Sequence, residues 1–463
     1  MLPETIRIID SHAHIYGKEF AVDFDEMMQR AAAAGVGTII VVGADLESSI
    51  QAAELAQKHP NLYAAVGIHP HDASRVTEAC YQRISDLARN CPKVVAIGEI
   101  GLDFYRDRSP RPDQEQVFRR FIRMARELQL PLIIHDRDAH DRIMAIMREE
   151  DAAAVGGVLH CFSGDLQMAK ECINLGFYIS IPGTVTYQNN VALHDVVRGI
   201  KTEHLLVETD CPYLSPVPFR GKRNEPAYVK LAAEKVAELK GLSLADVARI
   251  TTVNCEKLFS LPDQIHSDTI AYKIRNSLYL NITNRCSNSC TFCAKFDDFT
   301  VKGHHLQLTH EPSVKEVLAA IGERKDFDEV VFCGYGEPLI RLDLIREVAA
   351  ELKRQGHRIR INTDGQANLV HGRNILPELS GMVDTVSVSL NSADPAQYQQ
   401  LCRSPFKEAG FIGVCEFLRA APAYIPNVIA TAVSLPEVDI EAVKRLATEL
   451  GVSFREREYA EVG

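Results

Sequence analysis

The sequence predicts two α/β barrels in tandem, a (β/α)8 barrel followed by a partial (β/α)6 barrel. Three observations predict it. Short β-branched runs alternate with amphipathic helical stretches eight times between Arg7 and about residue 210, a polar proline-containing stretch then interrupts, and the alternation resumes six times more. Repeated strand–helix units in one chain build parallel sheets whose ends close on themselves, the TIM-type architecture, when eight are present. At 463 residues the chain is long enough for more than one domain of about 150 residues.

In order, the first set of strands is read in RIID, TIIVVG, YAAVGIH, VVAIGEIG, LIIHD, GVLHCF, YISIPG and LLVETD. Between them lie segments such as DFDEMMQRAAAAG, and QEQVFRRFIRMARELQL, where Phe118, Phe121, Ile122, Ala125 and Leu128 share one helical face. Two closing helices are expected near 225–240 and 243–260. The first domain is therefore placed at 1–262, a linker at 263–276 and the second domain at 277–463. There the strands are SLYLNIT, EVVFCG, RIRINTD, TVSVSLN, VIATAVSL and VSFREREY, with helices at 313–325, 341–355, 394–402, 407–420 and 439–451.

Composition excludes several classes. Hydrophobic residues make 46% and charged residues 24%, values of an ordinary globular chain and not of a disordered or fibrous one. No apolar run reaches the roughly 18 residues of a membrane helix, and the first twenty residues lack the apolar stretch of a secretion signal, so a cytoplasmic protein with no membrane contact is expected. The net charge of −11 is shared by both halves, with 29 basic and 35 acidic side chains in residues 1–262 and 22 and 27 after them. A protein that coats DNA needs a cationic face, which this balance argues against. Twelve cysteines are too sparse for a disulfide scaffold, and three of them are spaced for metal.

In a (β/α)8 barrel the reacting groups sit at the C-terminal strand ends. Here those ends carry metal-ligand chemistry: Asp10-Ser-His12-Ala-His14, Glu99, His135, His160 and Asp210. Alternation along a strand turns His12 and His14 to one face, so both can chelate one ion. Imidazole and carboxylate together suit divalent ions such as magnesium, manganese or zinc, and two ions need a shared negative ligand, for which Glu99 is the best placed.

The segments DSHAH (10–14), VGIHPHD (66–72), IGEIGLDFY (97–105), LIIHDRDA (132–139), LHCFSG (159–164), ETDCPYL (208–214), PFRGKRNEP (218–226) and TTVNCEKLF (251–259) make this half resemble the TatD family of metal-dependent hydrolases. The resemblance implies a two-metal phosphodiesterase of the deoxyribonuclease type acting on DNA or another phosphodiester. It implies one ion on His12, His14, Glu99 and Asp210, and a second on Glu99, His135 and His160. Asp210 is placed to relay the proton of the attacking water, with Glu99 between the ions. Glu208, on the same strand face, orients Asp210 or the water, or is a structural acceptor. His69, Arg137 and Arg220 are substrate-contact candidates, as are Lys222 and Arg223 unless they belong to a solvated loop. Where many relatives carry a basic residue after TxTF, this chain reads Thr184-Val-Thr-Tyr187-Gln188.

The second constellation is Cys286-Ser-Asn-Ser-Cys290-Thr-Phe292-Cys293, spaced C-x3-C-x2-C directly after a strand. Three thiolates on one loop can hold three irons of a [4Fe-4S] cube and leave the fourth open. A closed zinc site would need a fourth ligand, from His304, His305 or Cys333. The spacing, together with Gly334-Tyr335-Gly336-Glu337-Pro338 on the next strand, resembles the radical S-adenosylmethionine superfamily, most closely its members associated with TatD enzymes. That resemblance implies a [4Fe-4S] cluster on Cys286, Cys290 and Cys293 in a radical-SAM-type barrel. S-adenosyl-L-methionine would meet Tyr335, Gly336, Glu337 and Pro338, with Thr363, Ser389 and Asn391 as further contacts. A reduced electron donor such as flavodoxin or ferredoxin is implied as a partner.

The reading is a bifunctional enzyme, a metal-dependent hydrolase joined to a radical enzyme of unknown substrate and unknown oligomeric state. Two rivals remain: a hydrolase barrel that only binds nucleic acid for the radical domain, and a hydrolase regulated by a redox-sensing cluster.

Overall fold

The structure, a computed structural model, describes residues 6–262, 269–293, 295, 299–324 and 326–458. The chain divides into two compact units, Met1–Asp263 and Gln264–Gly463.

In the first unit eight strands pair in chain order, every neighbour parallel: β1 (Ile8–Ala13), β2 (Val36–Val42), β3 (Leu62–Val66), β4 (Val94–Asp103), β5 (Leu132–Arg137), β6 (Gly157–Leu159), β7 (Phe177–Ile181) and β8 (Leu205–Val207). Nine α-helices accompany them among the described residues, the first being α1 (Phe24–Ala33) and the last two α8 (Val229–Lys240) and α9 (Leu244–Leu258). Strands β1 and β4 are buried at every position, because an all-parallel sheet is covered on both faces. The helix at Arg111–Leu128 buries Phe118, Phe121, Ile122 and Ala125, the face its periodicity foretold.

The barrel closes beyond the named end of β8. The His14 N–H donates to the Cys211 carbonyl at 2.8 Å and the Asp210 N–H to the His12 carbonyl at 2.9 Å. The residues that stitch the seam thus flank or carry the expected ligands. Gly101 stands opposite His135 in the β4–β5 ladder with φ +142°, and a Cβ there would lie 2.0 Å from the His135 carbonyl oxygen. Gly101→Ala should therefore push β5 away and lower stability by about 1–3 kcal/mol. An unchanged urea midpoint would show that the two strands separate without cost.

The second unit holds a seven-stranded sheet in the order β17-β16-β15-β14-β13-β10-β9. Its strands are β9 (Ala271–Ile274), β10 (Ser277–Leu280), β13 (Glu329–Phe332), β14 (Ile359–Thr363), β15 (Thr385–Ser389), β16 (Asn427–Ser434) and β17 (Ser453–Glu458). All pairings are parallel except β9 on β10, and a separate hairpin is formed by β11 (Thr300–Val301) and β12 (His304–His305). One face, with Leu278, Leu280, Val330, Phe332, Ile361, Val386, Val388 and Ala430, packs on the helices. The other carries Tyr279 and Val331 against Tyr272, Leu306 and Tyr335.

Two sequence expectations change here. Residues 271–274, read as linker, form β9, because Arg275 at φ +52° lets the chain turn back on itself as a tight hairpin. Residues 263–268 of that stretch lie outside the described residues. The helix expected at 313–325 runs as α10 over Val314–Ile321, opened by a capping box between Ser313 and Glu316 and stopped by Gly322 at φ +61°.

Candidate active sites

At the C-terminal mouth of the barrel the strand ends deliver their side chains to one point. His12 and His14 present their Nε2 atoms 3.1 Å apart. The His14 Nδ1–H donates to the Val42 carbonyl at 2.7 Å, which fixes the tautomer and leaves Nε2 as a lone-pair donor toward the centre. Two imidazole nitrogens so directed suit a shared cation. Glu99 completes the arrangement by dividing its oxygens. Oε2 is 3.6 Å from both His12 and His14, while Oε1 is 2.8 Å from His135 Nδ1 and 2.8 Å from His160 Nε2. Asp210 Oδ1 closes the first side, 3.4 Å from His14 and 3.8 Å from His12. All six residues expected as metal ligands are therefore within one cluster, arranged as two donor groups about one carboxylate.

The electrostatics follow from burial and crowding. Burial alone would raise the Glu99 carboxyl, but His160, His69, His12 and His135 outweigh it and hold it well below the usual carboxylate range. Asp210 is likewise lowered, burial being overcome by His14, His12 and His160. His12 is pushed down by burial and by repulsion from His160, whose ring stacks on it at 3.9 Å. A neutral imidazole is the form that ligates metal.

The other candidates divide. His69 accepts the His71 N–H at Nδ1 (3.1 Å), so its Nε2 bears the proton and points at Glu99 Oε1 from 3.5 Å, as a donor and not a ligand. Arg137 lies over the Tyr105 ring at 4.2 Å, and Arg220 over Tyr187 at 4.7 Å, both on the exposed rim. Glu208 is fully buried behind His160: its Oε1 accepts the Cys161 N–H at 2.5 Å and stands 3.6 Å from His160 Nδ1, so it faces this ring and not Asp210. Arg223 pairs with Asp23 at 2.7 Å and clasps its loop to the start of α1, which removes it from the cations free to meet phosphate.

One carboxylate of the barrel mouth escaped the sequence reading, and another, Asp10, was read only as part of its strand end. Asp103 stands 2.8 Å from His71 Nε2 and 3.6 Å from His135 Nε2, a carboxylate backing a ligand imidazole. Its signal was present, since Glu99, Gly101 and Asp103 alternate along one strand face. Asp10 accepts from Thr209 at 2.6 Å and 2.9 Å, and burial pushes its carboxyl up to about 8. It ties β1 to the segment carrying Asp210. Asp103→Ala should weaken divalent-ion binding roughly 10- to 100-fold in a metal titration while the fold is kept. Undiminished affinity would make Asp103 a partner of His71 alone.

In the second unit Cys286, Cys290 and Cys293 lie on the loop after β10, all partly exposed and none in a disulfide. The loop is pinned by Ser289 N–H to the Cys402 carbonyl (3.1 Å) and Thr291 N–H to the Leu401 carbonyl (2.8 Å). From the other side the GYGEP segment closes on it. A Cβ on Gly336 would lie 2.1 Å from the Thr283 carbonyl oxygen, and the Glu337 N–H donates to the Arg285 carbonyl at 2.8 Å. Glycine is required for this approach. Glu337 is buried, accepting from Thr363 Oγ1 at 2.8 Å, Leu339 N–H at 2.9 Å and Asp364 N–H at 2.6 Å. Pro338 opens a short 3-10 turn behind it.

Glu337 and Thr363 are thus joined, whereas Tyr335 turns its hydroxyl to the Thr300 carbonyl at 2.8 Å. Asn391 approaches Cys402 at 3.6 Å, and Ser389 faces Arg457 at 3.5 Å. Asp364, which also bonds Ser287 of the cysteine loop, was missed. His304, one possible fourth zinc ligand, is within hydrogen-bond distance of the Lys273 carbonyl (3.1 Å).

A sequence profile of TatD related DNases matches residues 9–260, and one of the Radical SAM superfamily matches residues 280–450. An uncharacterized metal-dependent hydrolase of Bacillus subtilis, YabD, is 46% identical over 254 residues, which span 55% of this chain and 99% of that protein. The 3'-5' ssDNA/RNA exonuclease TatD of Citrobacter rodentium is 40% identical over 259 residues, 55% of this chain and 98% of that one. Among solved structures the TatD homologue YJJV of Escherichia coli K12 aligns with a TM-score of 0.54 at 33% identity, over 56% of this chain and all of that one.

Proposed function

The chain belongs to the TatD related DNase family through residues 9–260 and also carries a Radical SAM domain over 280–450, and from that premise we propose a bifunctional enzyme, a two-ion phosphodiesterase cleaving single-stranded nucleic acid joined to a cluster-dependent radical enzyme. The observation that carries the first activity is the division of Glu99, one oxygen toward His12 and His14 and the other toward His135 and His160. His12, His14, Glu99 and Asp210 would hold one ion, and Glu99, His135 and His160 the other. Bound there, divalent ions supply an acidic water and offset charge on the phosphate.

The remaining work falls to side chains. Asp210 Oδ1 takes the proton of the attacking water. The Asp210 backbone sits at φ +54° and is held by its N–H on the His12 carbonyl, so the carboxylate is fixed before substrate arrives. Glu208 stands behind His160 and Asp103 behind His135, each 3.6 Å from the ring nitrogen that faces away from Glu99, where their charge favours ligation by the other nitrogen. The Nε2–H of His69 offers a hydrogen bond to substrate or water. Arg137 offers a cation to a phosphate, and Tyr105 and Tyr213, 59% and 61% exposed, offer faces on which unpaired bases can stack. The name of the Citrobacter relative, an exonuclease on single-stranded DNA and RNA, supports that substrate class.

In the second unit Cys286, Cys290 and Cys293 would hold the cluster, which when bound supplies the electron that cleaves S-adenosylmethionine. Gly336 lets the GYGEP segment approach the loop, and Glu337 with Thr363 and Asp364 sets its polar lining. The electron donor we assign is a reduced flavodoxin or ferredoxin. None of the twelve cysteines forms a disulfide, as a reducing, cytoplasmic setting would have it, and among the described residues no helix is long and apolar enough to cross a membrane.

The test is removal and return of metal. Chelation should abolish cleavage of a single-stranded oligonucleotide, and titration with magnesium, manganese or zinc should restore it with two equivalents bound per chain, in the full chain and in residues 1–262 alone. Saturation at one equivalent would sink the shared-carboxylate reading, and an inactive but folded fragment would sink the independence of the first domain.

A further inference from the structure

The inner face of the second unit's sheet, opposite its helices, carries a concentration of positive charge that the cluster chemistry does not use. Alternation places Arg360 on β14, Ser387 and Ser389 on β15, and Arg455 and Arg457 on β17 on this face, because their strand neighbours Ile359, Ile361, Val386, Val388 and Phe454 pack against the helices. Arg360 is already neutralised, held by Glu329 at 2.9 Å and 3.3 Å, with Asn362 at 3.1 Å. Arg455 and Arg457 make no ion pair among the described residues. Arg457 reaches across β16 to Ser389 Oγ at 3.5 Å, and its Nε is shut from solvent with no acceptor. The Ser387 hydroxyl is buried, 3% exposed, and also has no partner.

A buried polar atom without a partner costs about 1–3 kcal/mol, so two such atoms on one face, Ser387 Oγ and Arg457 Nε, are unusual unless something meets them. Arg455 is exposed and Arg457 half-buried; partial burial, together with the nearby charge of Arg360, holds the Arg455 guanidinium below its ordinary value, and burial does the same for Arg457, with Arg455 adding to it. Strands β10 and β13 to β17 run parallel, and Arg457 lies near the C-terminal end of β17 as the cysteine loop follows the C-terminal end of β10, which places this end of the face on the side of that loop. Guanidinium forks match the planar or tetrahedral oxygens of carboxylate and phosphate, and hydroxyl groups complete such sites.

We propose that Arg455 and Arg457, with Ser387 and Ser389, form an anion-binding wall that receives a phosphate- or carboxylate-bearing small molecule as the substrate of the radical domain. The proposal rests on the radical reading for the chemistry that follows binding, and not for binding itself. A phosphomonoester, the product class of the hydrolysis proposed for the first unit, belongs to the same ligand chemistry.

The probes are inorganic pyrophosphate and malonate, titrated by calorimetry into the full chain after divalent ions are chelated, so that the barrel site contributes no phosphate affinity. At least one probe should bind, and which one distinguishes phosphate from carboxylate. Arg455→Gln with Arg457→Gln should weaken binding at least tenfold, whereas Arg455→Lys with Arg457→Lys, which keeps charge and strand, should retain most of it. Binding of neither probe, or equal binding by the glutamine pair, would overturn the assignment. S-adenosylmethionine affinity of the cluster-loaded glutamine pair should stay within twofold of the parent. A matching loss there would overturn it too, by giving the arginines to the cofactor's own carboxylate. Iron–sulfur absorption, retained in the glutamine pair, separates failure of this site from failure of the cluster.

Discussion

Asp210→Asn should lower phosphodiester cleavage by roughly 100- to 10,000-fold while leaving the barrel folded. The size follows from the place of this carboxylate on the ligand cluster, facing His14 Nε2 at 3.4 Å, and from the task proposed for it, accepting the proton of the attacking water. An amide does neither, since it bears no charge and its nitrogen is no base. Asparagine is nonetheless the right replacement for the fold. Residue 210 sits at φ +54°, a conformation that Asn tolerates at least as well as Asp, and the seam bond from its N–H to the His12 carbonyl is untouched by the change. Circular dichroism and thermal midpoint should therefore be those of the parent. Cleavage within threefold of the parent by a purified, metal-loaded Asp210→Asn chain would remove Asp210 from the mechanism.

The second large effect is separation of the two activities. Cys290→Ser should abolish the iron–sulfur absorption and the formation of 5'-deoxyadenosine, while oligonucleotide cleavage stays within twofold. A serine hydroxyl is a far poorer iron ligand than thiolate, and two cysteines cannot hold a cube with a single open iron. The loop should keep its place, because Ser289 and Thr291 hold it through backbone bonds that do not involve the Cys290 side chain. Equal loss of both activities in the folded, metal-loaded variant would give the cluster control of the hydrolase, the redox-sensor alternative. Persistent deoxyadenosine would show that Cys290 is no ligand.

Where the sequence reading stopped short, the reason is the same in each case. Glu208 was legible as a carboxylate on the correct strand face, but whether it turned to Asp210 or to His160 depended on where β6 delivers the Cys161 N–H. Arg223 was legible as a cation, yet its partner Asp23 lies 200 residues earlier in the chain. The strand at 271–274 was hidden by the polar residues before it, and appears only because β10 offers it an edge. The positive inner face could not be foreseen either, since Arg360 and the pair Arg455 and Arg457 look alike as charges until Glu329 is seen to neutralise only the first.

What the sequence by itself determined is what period and residue type encode: the strand–helix alternation, the ligand-type residues at individual strand ends, the cysteine loop and its GYGEP companion. These are local properties, fixed by spacing along one chain segment. What only the tertiary structure decided is partnership. Glu99 dividing its oxygens between two histidine pairs, Asp103 standing behind His135, Asp364 holding the cysteine loop and Arg457 reaching across to Ser389 all join segments distant in sequence. Such contacts follow from barrel closure and sheet register, and those are set by packing of the whole domain and not by any one of its motifs.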